Sequence, residues 1–255
     1  MTEQLKIKVD AGVMEITWNR PEKKNALTND MYRGAAEALE KASADKSIRV
    51  ALLTSEGDAF TAGNDLSVFA AANAGTSNEA PQGNRWITTI SKFDKPLVAG
   101  VRGVAVGVGT TMLLHCDMVY VANDARLSVP FVNLALVPEA ASSILLPQRV
   151  GHARAFAMFA LGEPVTGEQA VREGIANVAL PADQVIPAAR EGARKLAQRP
   201  LGALMATKAL MRPPQVMLDQ IKTESVYFAD RLRSAEAAEA FAAFREKRKP
   251  DFSKV

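Results

Sequence analysis

The chain has 255 residues, 48% hydrophobic and 23% charged, the balance of a globular protein with room for one large domain or a domain with an appendage. With 31 basic and 28 acidic residues the formal charge is +3, too small to argue for nucleic acid as a partner. A single cysteine, Cys116, excludes a disulfide framework within one chain and fits a reducing, cytoplasmic setting, while two histidines, His115 and His152, offer neither a metal-ligand cluster nor a nucleophile triad.

From the N-terminus, residues 1–6 hold no apolar signal region. Leu5 to Val9 and Val13 to Trp18 alternate around Asp10-Ala11-Gly12, which predicts a hairpin. Thr28 to Ala42 has helical spacing, and Ile48 to Thr54 reads as a buried strand. Strand-like runs recur at Leu97 to Val101, Met118 to Ala122 and Asn177 to Leu180. Between them the pattern predicts helices at about Pro81 to Ser91, Gly109 to His115, Ala140 to Val150 and Gly151 to Leu161, which makes the class α/β. The apolar stretch from Val98 to Val121 is broken by Arg102, glycines, His115 and Asp117, so no membrane span is expected.

After Asp183 the strand signals stop. Helical segments follow at Asp183 to Gln198, Leu201 to Met211, Val216 to Leu232 and Ala235 to Lys247, punctuated by Pro200 and Pro213-Pro214. We therefore divide the chain into a β/α body over residues 1–195 and a helical region over 196–255. Such helices do not bury their apolar faces alone, so the tail is expected on the body or on a neighbouring subunit. Its basic run, Arg245 to Lys249, reads either as a solvated helix end or as a contact for an anionic ligand. The last three residues, Ser253-Lys254-Val255, depart from a peroxisomal address at the final position.

Two turns carry the chemistry. Val98 to Met112 runs from a strand through Gly103, Gly107 and Gly109 into an apolar helix, and a helix start of this kind leaves backbone N–H groups unpaired. Asp58 to Leu66 ends a strand at Ala62-Gly63-Asn64-Asp65, a second place where glycine permits an unusual backbone turn. Two such donors together can hold a carbonyl oxygen that becomes an anion, which points to acyl or enolate chemistry. Glu139 follows a proline at the start of an apolar helix, where a first-turn acid serves the helix dipole as readily as it serves catalysis.

The order of these segments, with Arg20-Pro21-Glu22-Lys23-Lys24-Asn25-Ala26-Leu27 before them and Phe244 to Phe252 after, resembles the crotonase, or enoyl-CoA hydratase/isomerase, superfamily over nearly the whole chain. The resemblance implies a spiral of ββα units, a C-terminal helical trimerisation region, and a homotrimer or dimer of trimers. It also implies an acyl-CoA thioester as substrate, with no further cofactor, and a place in fatty acid degradation. The oxyanion donors it implies are the N–H groups of Asn64 and Val108.

Hydratases of that family hold two glutamates around a water, and the matching positions here are Thr111 and Phe131. Neither exchanges a proton with water at neutral pH. The segment around Glu139 instead resembles that of the Δ3,Δ2-enoyl-CoA isomerases, whose base is the matching glutamate. Burial against Phe131, Leu134 and Leu136 is expected to raise its pKa. For the substrate the resemblance implies Lys24, Ala26, Ala62, Gly63, Asp65, Leu66, Gly109 and Phe131, with Phe244 and Lys247 covering CoA in a neighbouring subunit. The alternatives are a hydratase or other lyase or hydrolase in which Asp65 or Glu79 assists water, and a non-catalytic acyl-CoA-binding protein on the same scaffold.

Overall fold

The structure is a computed structural model in which residues 3–65 and 82–255 are described. The first strands, β1 (Leu5–Asp10) and β2 (Val13–Trp18), form the expected hairpin with Asp10 opposite Val13. After it the chain adds β3 (Val50–Ser55), β4 (Leu97–Val101), β6 (Met118–Ala122) and β9 (Val178–Leu180), each parallel to its neighbour, in the order β1-β2-β3-β4-β6-β9. Every residue of β3 and β4 is buried, as strands covered on both faces require.

Helix α1 (Asn29–Ala44) is capped by the Thr28 hydroxyl and packs on the hairpin and on α2 (Gly83–Lys92). From α2, Trp86 meets Trp18 edge to face at 5.7 Å, and both rings are fully buried. Helix α7 (Ala182–Ala197) lies across β3, β4 and β6, where Gly100 leaves room for Ile186 and Ala189. The boundary expected at 195–196 falls inside this helix.

A second sheet, not anticipated, joins β5 (Val104–Val106), β7 (Arg126–Ser128) and β8 (Val165–Thr166). Strands of two or three residues are shorter than any periodicity window, and the same brevity hid α6 (Gly167–Arg172). The helix expected at 109–115 is one α turn, α3 (Val108–Thr111), continued as a tighter 3-10 turn over Met112–His115. The chain has few residues there before β6 must pair with β4, and the tighter turn fits that span. Helix α4 (Ser142–Val150) starts two residues later than expected, because Ala140 and Ala141 adopt left-handed φ of 61° and 55°. It is followed by α5 (His152–Leu161).

The tail comprises α8 (Leu201–Met211), α9 (Pro214–Leu232) and α10 (Ala235–Glu246). It folds onto its own body. Helix α9 buries Met217, Ile221 and Glu224 and runs beside α2, while α10 packs on the 3-10 turn Val132–Leu134. No described helix is long and apolar enough to cross a membrane.

Candidate active site

The two glycine turns lie side by side. Thr61 and Ala105 form a parallel bridge: the Thr61 N–H donates to the Val104 carbonyl (3.1 Å), and the Val106 N–H to the Thr61 carbonyl (3.0 Å). Each strand then turns at a glycine with positive φ, Gly63 (91°) and Gly107 (56°). A Cβ on Gly63 would sit 2.8 Å from the Val106 carbonyl oxygen, so the turns approach too closely for a side chain.

Three residues past the bridge, each turn presents a donor. The Leu27 N–H goes to the Gly63 carbonyl (2.8 Å) and the Asp65 N–H to the Leu27 carbonyl (3.0 Å), which leaves the Asn64 N–H between them without an acceptor among the described residues. In the other turn the Gly107 N–H donates to the Ser128 carbonyl (2.8 Å), and the Thr110 and Thr111 N–H groups donate to the Gly107 carbonyl (2.9 Å each). The Val108 N–H, at the first position of α3, has no acceptor among the described residues either. From α1, the buried Tyr32 hydroxyl donates to Asn64 Oδ1 (2.6 Å) and fixes the first donor's residue.

Asn64, Val108 and Glu139 line one chamber of about 210 Å³, with Leu27, Tyr32, Ile87, Ile221, Phe228 and Leu232 among its walls. Glu139 lines the chamber; its Oε1 accepts from the Thr111 hydroxyl (2.6 Å), while Oε2 has no donor among the described residues. Burial pushes the Glu139 carboxyl up to about 7; the Thr111 bond opposes this, and the nearby Glu224 carboxylate adds to it. The expected direction holds, but the walls differ: Phe131, Leu134 and Leu136 line a separate cavity, and the apolar surround of Glu139 comes from α1, α2 and α9. Burial, and then Glu139, also raise the Tyr32 phenol well above its ordinary value.

The turn that carries Glu139 is held from two sides. His115 Nε2 lies 2.7 Å from the Ala140 carbonyl, and burial pushes this imidazole down to about 3, so it is the neutral tautomer with Nε2–H that donates. Glu224 of α9 accepts from the N–H groups of Ala141 (2.6 Å) and Ser143 (3.0 Å) and from the Ser143 hydroxyl.

A second cavity of about 890 Å³ opens on the other side of the donors and shares Asn64, Val108 and Phe228 with the first. Its lining includes Arg20, Lys23, Ala26, Ala62, Gly63, Asp65, Phe131 and Phe244. Asn64 and Val108 thus stand where a small, largely apolar chamber that also holds the Glu139 and Glu224 carboxylates meets a larger space edged by Arg20 and Lys23. A thioester carbonyl held at that junction would send its acyl chain one way and its thiol-side group the other.

Lys24 and Lys247 do not line either cavity; Lys24 takes a left-handed φ of 49°, and its neighbour Lys23 faces the space instead. Gly109 sits behind the donors, where a Cβ would come within 2.6 Å of Thr61 Cγ2. Phe244, expected over CoA in a neighbouring subunit, lines the larger cavity of its own chain, where α10 packs on the body. Asp65, considered as a water-assisting acid, is paired with Arg20 (2.8 Å), which also donates to the Ala26 carbonyl (3.0 Å). Leu66 and Glu79 lie outside the described residues. Tyr32, Arg20, Lys23 and Glu224 were missed from sequence. Among the described residues no group of three or more His, Cys, Asp or Glu is placed to hold a metal ion.

Comparison with known proteins adds a family to this geometry. The family described as enoyl-CoA hydratase/isomerase matches residues 8–254. Enoyl-CoA delta isomerase 2 of Rattus norvegicus is 34% identical over 207 residues, 80% of this chain, which spans about half (53%) of that longer protein. The 1,2-epoxyphenylacetyl-CoA isomerase of Escherichia coli K12 is 34% identical over 261 residues, covering 99% of both chains. Hydratases stand at comparable identity. Among solved structures, an enoyl-CoA hydratase/isomerase from Pseudoalteromonas atlantica T6c superposes with a TM-score of 0.92 at 40% identity, covering 98% of this chain and 100% of its own.

Proposed function

The chain belongs to the enoyl-CoA hydratase/isomerase family, the crotonase superfamily, and from that premise we propose that it moves the double bond of a 3-enoyl-CoA to give the trans-2-enoyl-CoA, with Glu139 as the only acid–base group. The observation that carries this is that Glu139, whose second oxygen has no donor among the described residues, lines the same chamber as two main-chain N–H groups that have no acceptor among the described residues.

A double-bond shift needs one base and a place for negative charge. Glu139 Oε2 takes a proton from C2, and the C2–H electrons delocalise onto the thioester oxygen. The Asn64 and Val108 N–H groups bond that oxygen more strongly as it becomes anionic, which lowers the barrier. The carboxylic acid then returns the proton to C4, the C2–C3 double bond forms and the thioester carbonyl is restored. A carboxyl near 7 suits both directions, because its two protonation states lie close in free energy at neutral pH. No activated water takes part.

One observation favours a second possibility, hydration: Glu224 places another carboxylate on the same chamber. Both its oxygens are tied to the start of α4, Oε1 by the Ser143 N–H and hydroxyl and Oε2 by the Ala141 N–H, whereas Glu139 has an oxygen without a donor among the described residues. The residue at the first hydratase position, Thr111, spends its hydroxyl on Glu139. The test is incubation with 3-hexenoyl-CoA and with 2-hexenoyl-CoA while both isomerisation and hydration are followed. The proposal predicts interconversion of the two enoyl thioesters with little 3-hydroxyacyl-CoA; a predominantly hydrated product would reject it.

A further inference from the structure

Glu224 is buried, charged by type, and supplied by the tail rather than the body. The N-cap position before helix α4 is Ala141, so its first N–H groups have no side-chain cap of their own. Glu224 takes that role from across the chamber through the N–H groups of Ala141 and Ser143, while Gln220 of the same helix donates to the Ser143 hydroxyl (2.8 Å). Between Glu139 and these contacts lie Ala140 and Ala141, two consecutive L-residues in the left-handed region, a conformation that persists only when its surroundings hold it. The Ser142 N–H closes the turn on the Glu139 carbonyl (3.1 Å).

We propose that Glu224 is a positioning residue for the reaction: from the tail helix it pins the strained Glu139–Ser142 turn and faces Glu139 with a second carboxylate, so the acid–base group is complete only when α9 is docked on the body. The inference rests on Glu139 being the base. The titratable groups facing Glu139 are Tyr32 from α1 and Glu224 from α9; His115, on the far side of the Ala140 carbonyl, is neutral. Burial raises the Glu224 carboxyl above its ordinary value, and the bonds it accepts on both oxygens from Ser143 and the Ala141 N–H oppose that shift.

The test is a pH profile of isomerisation for wild type, Glu224→Gln and Glu224→Asp, alongside a 13C NMR titration of the Glu139 carboxyl, assigned by its loss in Glu139→Gln. Glu224→Gln removes the charge and one acceptor; kcat is expected to fall about tenfold with KM within about twofold. The acid limb of kcat/KM and the Glu139 titration midpoint should both move down by about half a pH unit or more, since a neighbouring negative charge has gone. Glu224→Asp keeps the charge and should restore the midpoint toward wild type. A helix cap alone would lower the melting temperature of both variants and leave midpoint and limb in place; that result overturns the inference. A wild type inactive on both hexenoyl thioesters would reject the isomerase proposal, while the NMR titration, which needs no substrate, still decides whether Glu224 acts on Glu139.

Discussion

Replacing Glu139 by glutamine should stabilise the protein at alkaline pH while abolishing its chemistry. In the folded state the Glu139 carboxyl stands at about 7 against an ordinary 4.5, chiefly through burial. For an acid raised on folding, the native state holds a proton that the unfolded state has released. Stability is therefore greatest below about 4.5 and declines as pH rises through about 7. Full ionisation would cost about 3 kcal/mol, and because Glu139 is partly exposed a realistic figure is about 1–3 kcal/mol. Glutamine escapes that cost and retains an oxygen for the Thr111 hydroxyl. Urea unfolding of both proteins at pH 5.5 and pH 8.5, at one protein concentration, measures the difference. Glu139→Gln should gain on wild type between the two pH values, and the same preparation should lose isomerisation by at least about 100-fold. An equal stability difference at both pH values, within about 0.5 kcal/mol, would refute the claim that this carboxyl is buried at the cost of folding.

Other perturbations separate the parts of the site. Thr111→Val removes the donor that favours ionised Glu139, so the acid limb of kcat/KM should move to higher pH, the opposite of the Glu224→Gln result. Val108→Pro deletes one N–H at the first position of a helix, where proline fits; kcat should fall about 100- to 1000-fold with a near-native circular dichroism spectrum. Tyr32→Phe frees the Asn64 side chain, and a loss of about three- to tenfold in kcat with little change in KM is expected from steady-state kinetics.

The sequence disclosed the parts of the site that depend on the main chain. The glycines at 63 and 107 marked both turns, and the family resemblance placed the donors on Asn64 and Val108, where the main-chain N–H serves whatever the side chain is. What escaped depended on the side of the chain a residue faces. In the left-handed turn at Lys24 and Asn25 nothing in the order of residues shows that Lys23, and not Lys24, borders the cavity. Phe131, Leu134 and Leu136 precede Glu139 closely in sequence, yet they line the other cavity because the backbone reverses at Ala135, Ala140 and Ala141, all with positive φ.

Glu224 was hidden differently, since a glutamate in a helix usually marks a solvated face. The available signal was its spacing from Met217 and Ile221, which puts it on the buried stripe of α9. A carboxylate on an apolar stripe needs a partner, and its partner is a helix start far away in the chain. The small second sheet, in contrast, leaves no periodicity to detect, although it fixes Gly107 by accepting its N–H on Ser128.

In the proposed reaction one carboxylate carries the proton between two carbons of the same thioester. This transfer is tested most directly with 3-hexenoyl-CoA deuterated at C2, by mass spectrometry and NMR of the first-turnover product. The expected product is trans-2-hexenoyl-CoA with a measurable share of the C2 label now at C4, and no such transfer in Glu139→Gln. Product whose C4 hydrogen comes wholly from solvent, or a 3-hydroxyacyl thioester as the first product, would contradict the proposed reaction.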